Sequence, residues 1–298
     1  MSPMTFEQEL AMKQEEVEEI IERFLPAEEG LQKAIFSAMN YSVRAGGKRL
    51  RPILVLETFR LFDGHGKAVE PFLAALEFIH TSSLIHDDLP CMDNDTLRRG
   101  KETTWHKYGE DMGVLAGDAL MMYAMETAAS AFSYTVNPKN VGAAMHVLAR
   151  KTGIYGMIGG QTVDVQETGK ALSADTLDFI YDLKTCALLE ASMMCGAILA
   201  DASREDVENV EKIAKKTGMA FQIRDDILDV ISTDEELGKN VHSDEKNEKT
   251  TYVSLYGLEE AEKKVAELTD EAVSLMHHLT GENRFLENLL VSLISRNR

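Results

Sequence analysis

Cysteine is scarce in this chain. Only Cys91, Cys186 and Cys195 occur, at spacings that suit neither a disulfide framework nor a thiolate metal site, so a reducing cytoplasm is expected. Positive charge is also short. Against 50 Asp and Glu stand 31 Lys and Arg, a net charge of -19, which excludes nucleic acid and anionic membrane as default partners. Long apolar runs are missing too. The most apolar stretch, "LLEASMMCGAILADAS", is too short for a bilayer and carries Glu190. The opening "MSPMTFEQELAMKQEEVEEIIERFLP" has no basic n-region and no apolar h-region, so no secretion signal is expected. Six prolines and twenty glycines are few for 298 residues, and no Gly/Ser- or Pro-rich linker divides them. One domain spanning 1–298 follows.

Strand signals are equally sparse: β-branched runs are short, no convincing alternation occurs and no solenoid period repeats. Ala, Leu, Met, Glu and Lys dominate instead, and the helical period recurs throughout. Val17, Ile20, Ile21 and Phe24 fall at i, i+3, i+4 and i+7, as do Leu286, Leu289, Leu290 and Leu293. Breaks fall at "FDGHGK" (62–67), "VNPKN" (136–140), "ETGKALSAD" (167–175) and "DASRED" (201–206), where Ser203 and Asp206 form an N-cap pair. "STDEELGKNVHSDEKNEKTT" (232–251) reads as a loop or lid. The fold class expected is all-α.

Two aspartate clusters break this pattern. In "GMAFQIRDDILDVIS", Asp225 and Asp229 are four apart and share a helix face, while Asp226 points elsewhere. An exposed acidic stripe is the ordinary explanation for such a pair. Against it, apolar residues lie on several sides of these acids, and like charges at i, i+4 repel unless something cationic sits between them. A divalent cation resolves the conflict, and an all-oxygen carboxylate site suits magnesium. In "SLIHDDLPCMDND", Leu84 and Ile85 continue a core helix beginning near Phe72, and Pro90 should end it. Asp87, Asp88 and Asp93 then gather at the helix C-terminus, the wrong pole of the dipole for anions. Two carboxylate banks 138 positions apart, facing each other across a cavity and holding magnesium, describe a diphosphate clamp.

Cations stand nearby. "RAGGKRLRP" (44–52) concentrates Arg44, Lys48, Arg49 and Arg51, with Pro52 near the first turn of a helix, a natural anion site. A solvated charge run is the alternative for these residues taken alone. "LRRGKETTWH" sets Arg98 and Arg99 directly after the first aspartates, which makes sense when shared anions lie between them.

With these residues in view the chain resembles the trans-isoprenyl diphosphate synthases, more narrowly the bacterial and plastid enzymes that make farnesyl or geranylgeranyl diphosphate. The motifs "GGKRLRP", "SLIHDDLPCMDNDTLRRGKET", "LAGDAL", "GGQTVD", "KT", "FQIRDDILD", "LGK" and "EKTTY" carry the resemblance in order along nearly the whole chain. It implies an all-α bundle around a central cavity, usually a homodimer, with isopentenyl diphosphate and allylic diphosphates as substrates. Asp87 and Asp93, and Asp225 helped by Asp229, would bind about three magnesium ions in all, Asp88 completing the first motif. Arg98, Lys184 and Lys239 would hold the allylic diphosphate; Lys48, Arg51, His80 and Arg99 would hold isopentenyl diphosphate. Gln161, Asp164, Thr185 and Gln222 would line the reacting centre as catalytic polar groups. The released diphosphate would take the final proton, so no dedicated base is required, and His86 is given no catalytic role.

The sequence departs from the family pattern at His242, where relatives often carry glycine, which puts the lid geometry in doubt. It departs again at Ser82, five residues before Asp87, where farnesyl-producing relatives carry an aromatic that floors the product tunnel. Phe78 lies on the same helix face, one turn deeper. Serine leaves room, so growth to twenty carbons is expected, with Phe78 or the methionines of "LMMYAMETA" as the floor. Alternatively Met121, Met122 and Met125 fill the gap and farnesyl remains the product. Two rival readings share fold or chemistry. A non-catalytic subunit of a heteromeric synthase would have degenerate aspartate motifs, and a terpene cyclase would lack the second diphosphate site.

Overall fold

The computed structural model describes residues 4–135, 137–231 and 250–295. Two central helices, α3 (Leu50–Leu61) and α4 (Val69–Asp87), are buried nearly all round, as their lack of a polar face requires. The more one-sided helices stand around them. From α1 (Phe6–Phe24), Val17, Ile20 and Ile21 turn inward, and α2 (Lys33–Val43) lies against the short α5 (Thr104–Tyr108) and against α6 (Glu110–Ala129). That helix packs along α4. Next come α7 (Pro138–Thr152) and α8 (Met157–Glu167), then α9 (Ala174–Ile180), which runs through a single π-helical turn (Tyr181–Cys186) into α10 (Ala187–Leu199). α10 is wedged between α3, α7 and α11 (Arg204–Ile231). Near the C-terminal end, Leu258–Met276 packs on α11, and Arg284–Ser295 buries Leu286, Leu289 and Leu290.

The expected breaks and caps are present. Ser203 Oγ accepts from the Asp206 amide at 3.1 Å, and Asp206 in turn accepts from the amide and hydroxyl of Thr280, tying the C-terminal region to the start of α11. Pro138 opens α7 at its first turn. Among the described residues no helix is long and apolar enough to cross a membrane. The expected loop is outside the described residues except for its last two positions, Thr250 and Thr251.

One local element escapes the period-based reading. Residues Leu97–Arg98 and Lys101–Glu102 form a minimal antiparallel hairpin, with Arg98 opposite Lys101. Its two-residue turn needs positive φ at both positions. Arg99 (φ 53°) and Gly100 (φ 75°) supply it. Two residues per strand are too few to show alternation, so only the fold reveals a device that holds two consecutive arginines beside the end of α4.

Candidate active site

The end of α4 explains how the first aspartates tolerate their position. After Asp87 the chain turns at Pro90 and folds back on the helix. The Asp93 amide donates to the Asp87 carbonyl at 2.9 Å, and the Met92 and Asn94 amides both donate to Leu89 O. Orphan carbonyls at the helix terminus are thus satisfied, and Asp93 is brought beside Asp87. The three acids then diverge. Asp87 faces a cavity and accepts from Gln161 Nε2 at 2.7 Å. Asp88 is buried and takes both Nε and Nη2 of Arg98, at 2.7 and 2.6 Å. Asp93 is exposed. Burial pushes the Asp87 carboxyl above its usual range; Lys184 and Arg98 oppose that shift, and Asp93 and Asp88 add to it.

The cavity, about 790 Å³, lies between α4, α6, α8 and the π-helical turn. Asp87, Gln161, Lys184 and Thr185 stand on one part of its wall, and Arg51 and His80 on another; Ser83, Met121, Met157 and Leu188 supply apolar or small surface. A smaller recess of about 150 Å³ adjoins Lys184 and Thr185 and is lined also by Asp164, Gln222 and Asp226. Lys184 Nζ binds Asp164 at 2.5 Å, and Thr185 Oγ1 donates to Gln222 Oε1 at 3.1 Å. Lys184 and Thr185 lie next to each other in the π-helical turn, and both line the cavity and the adjoining recess. Nothing in "FIYDLKTCALL" marks a π turn, and the composition is ordinary for helix.

The basic run is divided by the fold. Arg44 is exposed and pairs with Glu22. Arg49, in the left-handed region at φ 48°, is a buried keystone between Glu18 and Glu77, each at 2.5 Å. Only Arg51 enters the cavity. Burial pushes its guanidinium down to about 10, with Glu77 opposing and Arg99 adding to the effect. Its Nε is buried with no hydrogen-bond partner among the described residues, a donor whose burial calls for an explanation. Lys48 lies exposed on the loop before α3. Arg99 reaches back from the hairpin to donate to Gly46 O. Gly46 (φ 92°) and Gly47 (φ 136°) both lie at positive φ, which suits glycine, and at Gly47 a Cβ would also stand 2.6 Å from the Arg99 guanidinium.

His80 lies beside these cations. Burial, then Arg51 and Arg99, hold its imidazole well below the usual histidine range, so it is neutral near pH 7. The unfolded chain takes up a proton near pH 6.5 that the folded protein refuses, so this site costs stability as pH falls through 6.5. His80→Gln should therefore make the fall in Tm between about pH 7 and pH 5 shallower than in the wild type. An unchanged slope would show that His80 titrates normally.

Asp225 and Asp229 lie on α11 with Gln222, one turn apart, and Asp229 is buried. Lys239 and His242 lie outside the described residues. Ser82 and Phe78 are fully buried but are not in the cavity wall: Ser82 Oγ donates to Ile79 O at 2.7 Å, and Phe78 stacks on Tyr123 with ring centroids 5.6 Å apart. The methionine band divides as well. Met121 lines the cavity, while the adjacent Met122 turns outward on α6 and is 71% exposed. His86 rests against α6 with Nε2 3.1 Å from Val114 O, a satisfied helix-end histidine.

No group of three potential ligands converges into a cation cage among the described residues. Magnesium needs no such cage, since it is bound through one or two carboxylates while keeping waters and substrate phosphates in its remaining positions. Asp87, a partly buried carboxyl crowded by other acids, has the hard-oxygen chemistry this requires.

The family model described as polyprenyl synthetase matches residues 32–282. The chain is 44% identical over 266 residues to the geranylgeranyl diphosphate synthase of Cyanophora paradoxa, an alignment covering 87% of this chain and 86% of that protein. It is 40% identical over 288 residues to the farnesyl diphosphate synthase of Geobacillus stearothermophilus, covering 97% and 93%. The solved geranyltransferase of Helicobacter pylori, complexed with magnesium and isoprenyl diphosphate, aligns with a TM-score of 0.82 at 31% identity over 99% of this chain and 98% of that one.

Proposed function

Because the chain belongs to the polyprenyl synthetase family, we propose that this cavity condenses isopentenyl diphosphate head-to-tail with allylic diphosphates to give farnesyl or geranylgeranyl diphosphate. One observation carries the reading: a single cavity has two separate cationic stations, Lys184 beside Asp87 and Arg51 beside His80. Two diphosphates can therefore be held with their hydrocarbon ends in shared apolar space. A cyclase needs only one station.

Each residue then has a task. Lys184 and Arg98, with Lys239, hold the allylic diphosphate; Asp88 aims Arg98 through its paired contacts. Arg51, Arg99, Lys48 and the neutral His80 hold isopentenyl diphosphate, Arg51 with its unspent Nε donor. Asp87 and Asp93, with Asp225 and Asp229, hold magnesium, whose charge stabilises the diphosphate as it departs. Gln161 orients Asp87, Thr185 and Gln222 present neutral polar groups, and Asp164 partners Lys184. Holding the isopentenyl double bond against the allylic carbon is positioning catalysis. The apolar wall keeps water from the carbocation. Residues 1–298 act as one catalytic unit in the cytoplasm. A second copy covers the outer face of α6, where Leu115 and Met122 are exposed beside Ile35 of α2.

Product length is set by Met121. Along the α6 face that lines the cavity, Val114, Asp118 and Met121 succeed one another away from the Asp87 end, so Met121 is the deepest of the three and meets the growing chain. Ser82 and Phe78 stand behind the wall, Ser82 small enough not to displace it. Incubation of the purified protein with geranyl and isopentenyl diphosphates and magnesium should release pyrophosphate and give products reaching twenty carbons. Met121→Ala should lengthen the product and Met121→Phe should shift it toward farnesyl. A clean stop at farnesyl in the wild type would remove the twenty-carbon assignment. A spectrum moved only by Phe78→Ala would return the floor to α4.

A further inference from the structure

Asp225 and Asp226 are neighbours in sequence, yet the fold gives Asp226 surroundings of its own. Its buried carboxylate accepts from the Tyr181 hydroxyl at 2.6 Å and the Tyr252 amide at 2.8 Å. Tyr181 opens the π-helical turn, with Lys184 three residues on and Thr185 four. Thr185 donates to Gln222, and Gln222, one helical turn before Asp226, turns its amide toward Asp226 Oδ1 at 3.5 Å. A ring of contacts thus closes from Asp226 through Tyr181, the π turn, Thr185 and Gln222 back to Asp226.

We propose that Asp226 is a positioning residue that, through Tyr181 and Gln222, holds the π-helical turn so that Lys184 and Thr185 face the cavity. This rests on the reading of Lys184 as a diphosphate-holding side chain. A π turn carries one residue more than the α-helical turn and is rarely sustained by its own backbone. Relaxing to α-helix would rotate the residues that follow by about 100°, turning Lys184 and Thr185 off the wall they now share. Such relaxation is opposed from two sides. Stripping donors from a buried carboxylate is costly. On the other side α8 lies against the turn so closely that a Cβ on Gly160 would collide with the Lys184 backbone nitrogen and stand 2.8 Å from the Leu183 carbonyl carbon.

Tyr181→Phe removes one hydroxyl and nothing else. Steady-state kinetics with magnesium should show the KM for geranyl diphosphate raised and kcat lowered, each by roughly tenfold. The KM for isopentenyl diphosphate and the magnesium concentration for half-activity should not move. Asp226→Asn, which keeps an acceptor oxygen, should recover most of the activity that Asp226→Ala loses. A Tyr181→Phe protein that is less heat-stable but keeps wild-type values of both KM and kcat would overturn the proposal. So would an Asp226→Asn protein whose magnesium requirement rises as that of Asp225→Asn does, since Asp226 would then be a metal ligand. Absence of prenyl transfer by the wild-type protein would overturn the functional reading first, and this proposal with it.

Discussion

Asp87→Asn should lower kcat by about a hundred- to a thousandfold while the protein folds at least as stably as the wild type. The substitution preserves shape and leaves an oxygen to accept the 2.7 Å bond from Gln161, so local geometry is retained. Only the charge is lost. In the wild type that charge is held against burial, with Asp93 and Asp88 adding to the strain and Lys184 and Arg98 relieving it. Removing it should therefore relieve the substrate-free protein, and thermal unfolding without magnesium should show an equal or higher Tm. With magnesium and both substrates the same change removes an anionic oxygen from the metal–diphosphate assembly. The magnesium concentration for half-activity should rise together with the fall in kcat. Near-normal turnover in Asp87→Asn would reduce Asp87 to a structural hydrogen-bond acceptor, and the proposed metal role would go with it.

Arg51→Met should raise the KM for isopentenyl diphosphate by roughly ten- to a hundredfold and leave the KM for the allylic substrate near its wild-type value. The buried guanidinium has an Nε without a partner among the described residues, and burial lowers its pKa to about 10. It is an expensive group to hold in an empty protein. Glu77, the acid that steadies it, also has Arg49 at 2.5 Å, so removing Arg51 strands no partner. Methionine fills similar space without charge, and such replacements of buried ions are often neutral or stabilising. A stable variant with a selective loss of isopentenyl diphosphate affinity is the expected signature. Equal weakening of both substrates, or collapse of the fold, would place Arg51 in the scaffold instead.

Both substitutions put stability and activity in opposition, because each removes a charge that burial makes costly to hold. That tension was partly legible in the linear chain. "SLIHDDLPCMDND" placed acids at the end of an apolar helix, and solvation alone says that something must neutralise them. The helical periods were similarly local, since a 3.6-residue repeat of apolar side chains needs no knowledge of the partner surface.

Other features were beyond any reading by neighbours. In "RAGGKRLRP" the cations are alike in composition, yet Arg44 meets Glu22, Arg49 is enclosed by Glu18 and Glu77, and Arg51 alone reaches the cavity. Which glutamate meets which arginine depends on contacts between α1, α4 and the loop before α3, residues far apart along the chain. Product length is the sharper case. Counting back from Asp87 places Ser82 and Phe78 on a common helix face, but only packing against α6 decides that this face is sealed by Tyr123 and that His80, Ser83 and Leu84 line the cavity. The sequence by itself determined the helical class, the apolar stripes and the presence of two acidic clusters with cations nearby, because each follows from local period and the cost of burying charge. Tertiary structure alone decided which charge faces the cavity, which aspartate is a brace, and where the chain makes its π turn, because those choices are settled by neighbours that come together only when the helices pack.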